Sequence, residues 1–150
     1  MSDIRRIQTT RFGVLEAPQE LEWLFPRGLI GLETATRWVL LGESESSSLV
    51  WLQSVDRPEL ALPLVSPRRL VPGYKVRVAP DELTPLELAD DDLLFVLVTV
   101  AKTGTVCTAD LRGPLLFNAT RRRGLQVVTL DEQPLQYILP VRLEHLKRSA

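Results

Sequence analysis

Eleven prolines, spread along the chain instead of gathered in one tract, restrict the fold more than any other feature. They begin at Pro18, Pro26, Pro58, Pro63, Pro67 and Pro72 and recur to Pro140. Each removes a backbone donor and locks φ, so a helix interior tolerates none of them. The segments between are short, rich in β-branched or aromatic residues, and bounded by Pro, Gly or Asp, which is the signature of strands. Glu20–Phe25 places Leu21, Trp23 and Phe25 on one face and two acids on the other, and Tyr74–Val78 alternates in the same way with Lys75 and Arg77 outward. Arg37–Leu41 and Leu49–Leu52 read as more deeply buried strands around the serine-rich loop Gly42–Ser48. Leu60–Val65 is strand-like, although Pro63 requires an edge or a bulge. Leu93–Val100 is the strongest central strand, followed by Thr105–Leu111, Leu115–Asn118, Leu125–Leu130 and Tyr137–Leu139. Helix is confined to a single turn at Pro80–Leu83, which Pro85 discourages from extending, and to a short helix or frayed tail over 141–150. About ten strands at this spacing predict one all-β domain over residues 1–150, an antiparallel barrel-like or sandwich fold with little helix.

Composition then removes whole classes of chemistry. The single Cys excludes an intrachain disulfide and a Cys-rich zinc site; the single His excludes a His-pair metal site and argues against a His-based triad. No signal peptide follows the charged start Met1–Arg6, and the longest apolar run, Leu93–Val98, is far short of the roughly 20 residues a membrane span needs. With an unpaired Cys107, the expectation is a soluble cytoplasmic protein. The formal net charge of −1 argues against a dedicated nucleic-acid binder, yet it conceals a division. Residues 1–60 carry a net −3, residues 61–110 a net −2, and residues 111–150 a net +4.

Individual residues offer little catalytic material. Cys107 sits mid-strand between Val106 and Thr108 with no basic neighbour to lower its pKa, so it reads as a buried small hydrophobe. His145 lies in a polar tail and reads as a surface histidine. Asp90–Asp92 lacks the alternate spacing, the Gly and the distal Glu of a calcium loop, which leaves a solvated, edge-protecting turn. Arg121–Arg123 reads as a solvated hairpin arm, with a partner-binding arm as the next reading; phosphate contact is a further one, although no aromatic stacking platform accompanies it. No phosphate loop, nucleophile elbow or paired-His motif is present, so neither an enzyme, a cofactor nor a metal is expected.

Several segments, taken in order, are more specific. Ile7–Gly13, Phe25-Pro-Arg-Gly-Leu-Ile-Gly-Leu-Glu33, Leu52-Gln-Ser-Val-Asp-Arg-Pro58, Tyr74, Thr108–Asn118 and Arg123–Val128 together resemble the FliW family of flagellar assembly factors. Against the family pattern, Ile30 and Leu32 replace Pro and Phe, Asp110 replaces Asn, and Ser66 stands before Pro67 where Asp is common.

The resemblance implies a non-enzymatic regulator that binds flagellin in the cytoplasm and also binds the translational repressor CsrA, relieving the block on flagellin mRNA. It implies a monomer when free, with protein partners in place of membrane or nucleic acid. It points to Gln53, Ser54, Asp56, Asp110 and Asn118 as candidate partner-binding residues. Gln53 and Asn118 can equally serve as scaffold, hydrogen-bonding exposed backbone at loop ends. The acidic first 110 residues are expected to face the basic CsrA dimer, because complementary potentials steer association. The rival to all of this is a nucleic-acid-binding barrel that uses Arg121–Arg123.

Overall fold

A computed structural model describes residues 3–42 and 48–139. The chain runs β1 (Ile4–Thr9), β2 (Gly13–Pro18), a 3-10 turn (Gln19–Leu21), β3 (Trp23–Leu24), β4 (Arg37–Gly42), β5 (Val50–Ser54) and β6 (Ala61–Val65). It continues through α1 (Pro67–Leu70), a 3-10 helix (Pro80–Leu86), β7 (Leu94–Thr103), β8 (Val106–Ala109), β9 (Leu115–Asn118), β10 (Arg123–Gln126) and β11 (Tyr137–Ile138). Strands β3 to β7 pair in order, β7 pairs with β9, β9 with β10, and β10 returns to β3. Seven strands therefore close into a ring, which removes the edges an open sheet would leave. The expected all-β barrel is present, and its ladders are antiparallel except at the seam, where Arg123 of β10 meets Leu24 of β3 in parallel.

Among the strands of this barrel, β5 and β9 are buried on both faces, which explains why Val50–Leu52 and Leu115–Phe117 are unbroken apolar runs. Trp23, Phe25, Trp38, Leu52, Leu64, Leu115 and Phe117 fill the interior. Alternate residues of the same strands, Trp51, Val65, Val98 and Val100, pack outward against β8, Tyr74 and Leu139. Cys107 is buried within this outer cluster. A third cluster (Leu86, Leu116, Leu125, Val127) lies beneath the 3-10 helix. That helix continues through Pro85 to Leu86, further than the single turn expected, because burial of Leu86 holds it in place.

The N-terminal hairpin β1–β2 is a pair outside the ring, with six residues in register from Ile4↔Pro18 to Thr9↔Gly13. Ile7 anchors it in the core, Arg5 pairs with Glu22 at 2.5 Å, and the Thr10 amide donates to the Pro58 carbonyl at 2.8 Å. Leu21 does not share the buried face of Trp23 and Phe25: it ends a 3-10 turn and is exposed. Pro63 lies on neither an edge strand nor a bulge. Its strand is flanked by β5 and β7, but the β6–β7 ladder consists only of Leu64↔Thr99 and Val65↔Val98 and stops one residue before Pro63 would join it. The possible tail helix over 141–150 lies outside the described residues.

Tyr74–Val78 keeps its expected alternation, with Tyr74 buried and Lys75 and Arg77 exposed, but it forms no ladder. The Arg77 amide donates to Thr129 Oγ1 at 3.1 Å and the Leu130 amide to the Arg77 carbonyl at 2.6 Å, and these two bonds replace a strand pairing. The Tyr74 hydroxyl donates to the Leu111 carbonyl at 2.6 Å, and burial, reinforced by Asp110 and Asp131, pushes its pKa up to about 12. A phenol whose folded pKa lies above its unfolded value of about 10 stabilises the fold below pH 10 and loses that contribution as pH rises toward 12. Tyr74→Phe should cost about 1 kcal/mol at neutral pH. Urea melts across pH 8–12 should also show a shallower alkaline fall for the variant than for the parent chain.

Candidate functional site

Three of the quoted segments meet at one end of the barrel. The Gln126 side chain joins them: its Oε1 accepts from the Ile30 amide at 2.8 Å and its Nε2 donates to the Gly113 carbonyl at 2.8 Å. Phe25–Glu33, Asp110–Pro114 and Arg123–Val128 are thereby held as a single rim. Two glycines make the fit possible. Gly28 has φ +62° and its α-carbon faces the Leu32 and Glu33 carbonyls, and Gly124 faces the Phe25 ring, so a side chain at either would collide. Ile7–Gly13 and Leu52–Pro58 form a separate cluster, joined through Thr10 and Pro58.

Inside the rim lies an open groove of about 600 Å³, where β6 and β7 part beyond Pro63. Leu29, Leu32 and Leu62 form its floor, and Thr99, Val100 and Ala101 of β7 line one wall. Around it stand three large apolar side chains in solvent: Ile30 at 60% exposure, Leu135 at 58% and Val128 at 48%. Apolar residues grouped around a concavity are the usual mark of an interaction surface, whereas single ones are not. Two charged residues line the groove. Asp110 is committed to its own loop, its Oδ1 accepting the Arg112 and Gly113 amides at 3.0 and 2.9 Å. The Arg112 guanidinium is exposed and has no partner among the described residues. Of the five candidate residues, only Asp110 lines this groove.

The other four lie elsewhere. Gln53 and Ser54 are buried in β5. Gln53 Nε2 donates to the Ser54, Arg57 and Pro58 carbonyls, and Ser54 Oγ accepts the Arg57 amide at 3.0 Å. These bonds shape the turn that receives the N-terminal hairpin. Asp56 is exposed and takes Arg37 Nη2 at 2.5 Å, a bond that raises the Arg37 pKa. Asn118 is fully buried and donates to the Leu86 carbonyl at 2.9 Å and to Asp92 Oδ2 at 3.0 Å. Its Oδ1 accepts the Thr120 and Arg121 amides. Gln53, Ser54 and Asn118 thus present no polar atom to a partner, whereas Asp56 and Asp110 are accessible.

The three arginines do not form a solvated arm. Arg121 Nε meets Asp92 Oδ2 at 2.8 Å. Arg122 stacks on the Trp23 ring at 4.1 Å and donates to the Leu21 carbonyl, and burial lowers its pKa. Arg123 donates to the Pro85 carbonyl at 2.7 Å and lies 3.8 Å from Glu87. The nucleic-acid reading loses its free cations here, because each guanidinium is already bonded within the fold. Asp92 is correspondingly not a solvated acid. The Ala89 amide, Asn118 and Arg121 all hold its carboxyl below the usual range, against a smaller opposing effect of desolvation. The charge division of the sequence is therefore partly cancelled in space: Arg121 and Arg123 of the basic C-terminal segment pair with Asp92 and Glu87 of the acidic one. Asp81, Glu82, Asp90 and Asp91 remain exposed carboxylates that form no ion pair among the described residues. No group of three or more Cys, His, Asp or Glu among those residues is placed to hold a metal ion.

Neither composition nor period pointed to Ile30, Arg112, Gln126, Val128 or Leu135. Arg112, Gln126 and Val128 fall within the quoted segments and Ile30 departs from the family pattern, but nothing in the sequence set them apart as lining a groove, and Leu135 lies outside every quoted segment. No helix among the described residues is long and apolar enough to cross a membrane.

Comparison with known proteins is consistent along the chain. A family profile described as FliW protein matches residues 6–139. The flagellar assembly factor FliW of Syntrophus aciditrophicus is 32% identical over 144 residues, covering 95% of this chain and 88% of that protein. Its counterpart in Heliobacterium modesticaldum is 34% identical over 125 residues, covering 82% of each chain. A crystal structure of the flagellar assembly factor FliW superposes with a TM-score of 0.83 at 24% identity, covering 89% of this chain and 96% of the other; this likeness supports the fold.

Proposed function

The chain belongs to the FliW family of flagellar assembly factors, and on that premise we propose that it acts in the cytoplasm as a non-catalytic partner switch between flagellin and CsrA. Flagellin, when abundant, occupies the protein and leaves CsrA free to repress translation. When flagellin is exported, the protein returns to CsrA and relieves repression. Such a switch requires competing affinities and no chemical step. The observation that carries the reading is the family match over residues 6–139, which spans all three segments of the apolar rim. The exposed acids Asp81, Glu82, Asp90 and Asp91 support docking of a basic partner.

Titration calorimetry with purified flagellin and purified CsrA tests the proposal. Each should bind, and flagellin added to the CsrA complex should release CsrA. No binding by either protein would overturn it. The acidic surface adds a prediction for CsrA: raising salt from 50 to 300 mM should weaken the complex, and by less in a variant with Asp90 and Asp91 both changed to Asn. Identical salt curves for the two proteins would remove those acids from the interface.

A further inference from the structure

The groove at the rim is bordered by an open strand edge. On the side of β8, residues Val100–Thr103 pair with Ala109, Thr108, Cys107 and Val106. On the side of β6 the ladder ends at Thr99, and no strand among the described residues continues it. The Thr99 carbonyl accepts the Asp110 amide and so points toward the β8 side. Backbone direction alternates along a strand, which turns the amides and carbonyls of Val100 and Lys102 to the open side. Pro63, at the position where β6 would supply the next rung, has no amide to offer.

An open edge beside an apolar groove is the geometry of strand addition, in which main-chain bonds supply affinity and side-chain pockets supply selectivity. The charge at the groove narrows the occupant. Asp110 Oδ1 is already held by two backbone amides, so the charged group of the groove with no hydrogen bond among the described residues is the Arg112 guanidinium, a fork suited to a carboxylate. A basic segment would meet an exposed cation here, whereas Asp81, Glu82, Asp90 and Asp91 are exposed carboxylates that form no ion pair among the described residues. We propose that the groove receives an extended segment of a protein partner that adds as a strand along Val100–Thr103. This segment lays apolar side chains among Ile30, Val128 and Leu135 and a carboxylate on Arg112.

The proposal rests on the partner-switch reading and assigns the groove to the flagellin side of that switch, leaving CsrA to the acids of the Asp81–Asp91 stretch. Three variants test it: Arg112→Glu reverses the cation; Lys102→Pro removes the open-side amide without touching a bond to β8; Lys102→Ala controls for loss of the lysine charge. Affinities of the full chain for flagellin and for CsrA are measured separately for each. Arg112→Glu and Lys102→Pro should each weaken flagellin binding about tenfold or more, the size of an anchoring contact, while Lys102→Ala and all CsrA affinities stay within about twofold. Flagellin binding unchanged in Arg112→Glu and Lys102→Pro would overturn the groove assignment and leave the partner switch standing. A parent chain that binds neither protein overturns both.

Discussion

Gly124→Ala should destabilise the fold by about 3 kcal/mol or more, a large part of the 5–15 kcal/mol that holds a typical domain together. A β-carbon at this position would lie 2.2 Å from two atoms of the Phe25 ring. That ring is fully buried, packed edge-on against Phe117 at 5.5 Å and Trp38 at 6.5 Å, and cannot swing aside. The backbone of Gly124 is equally fixed, since β10 is paired with Phe117 of β9 at this residue. Urea unfolding should show a lower midpoint with little change in slope. The cause can be isolated by adding Phe25→Leu, which makes room for the methyl group. The double variant should recover part of the loss, so the two changes will not add. A Gly124→Ala protein as stable as the parent would show that β10 and the Phe25 loop are not in contact as described.

Phe117→Ala should cost about 3–5 kcal/mol by leaving a cavity at the centre of the barrel. Phe117 is fully buried and touches Trp23, Phe25 and Phe95, with the Phe95 ring stacked at 4.8 Å. It also adjoins Asn118, so its loss loosens the strand that carries the Asn118–Asp92–Arg121 clamp. Unfolding monitored by tryptophan fluorescence should report the change directly, because Trp23 is one of the three aromatic neighbours. A loss under about 1 kcal/mol would mean that the interior collapses to fill the space.

Most of the barrel was legible in the sequence because its strands are short, apolar and punctuated. β4, β5, β7 and β9 fall where the runs around Trp38, Trp51, Val98 and Phe117 predict them. The hairpin β1–β2 was not legible as strands. Ile7 is the only core residue it contributes, Ile4 and Val14 face solvent, and so no alternation marks it. Leu125–Leu130 reads as one strand, but after Gln126 the backbone bonds to the Arg112 and Pro114 carbonyls of a loop, so β10 ends early. The candidate site was less legible for a different reason. A polar residue between apolar ones, such as Gln53 or Asn118, reads the same whether it meets a partner or supports a turn, and only burial separates the two cases. Arg121–Arg123 looks like free charge until the strand order brings Asp92, Pro85 and Glu87 beside it. Arg112, one of many arginines in sequence, becomes distinctive only once its neighbour Asp110 is seen to be engaged.

The seam of the barrel has a consequence for biosynthesis. β3 and β10 meet at one register pair, Leu24 with Arg123, almost a hundred residues apart in the chain. Loop closure over that distance is costly and is repaid only when both strands are present. On the ribosome, the first half of the molecule therefore lacks the cover that Phe117 and β10 give Trp23 and Phe25 until β9 and β10 have been made. The groove, built from residues on both sides of the seam, comes into existence at the same moment. On the proposed docking role, a nascent chain has no groove to offer a partner until β10 has been made.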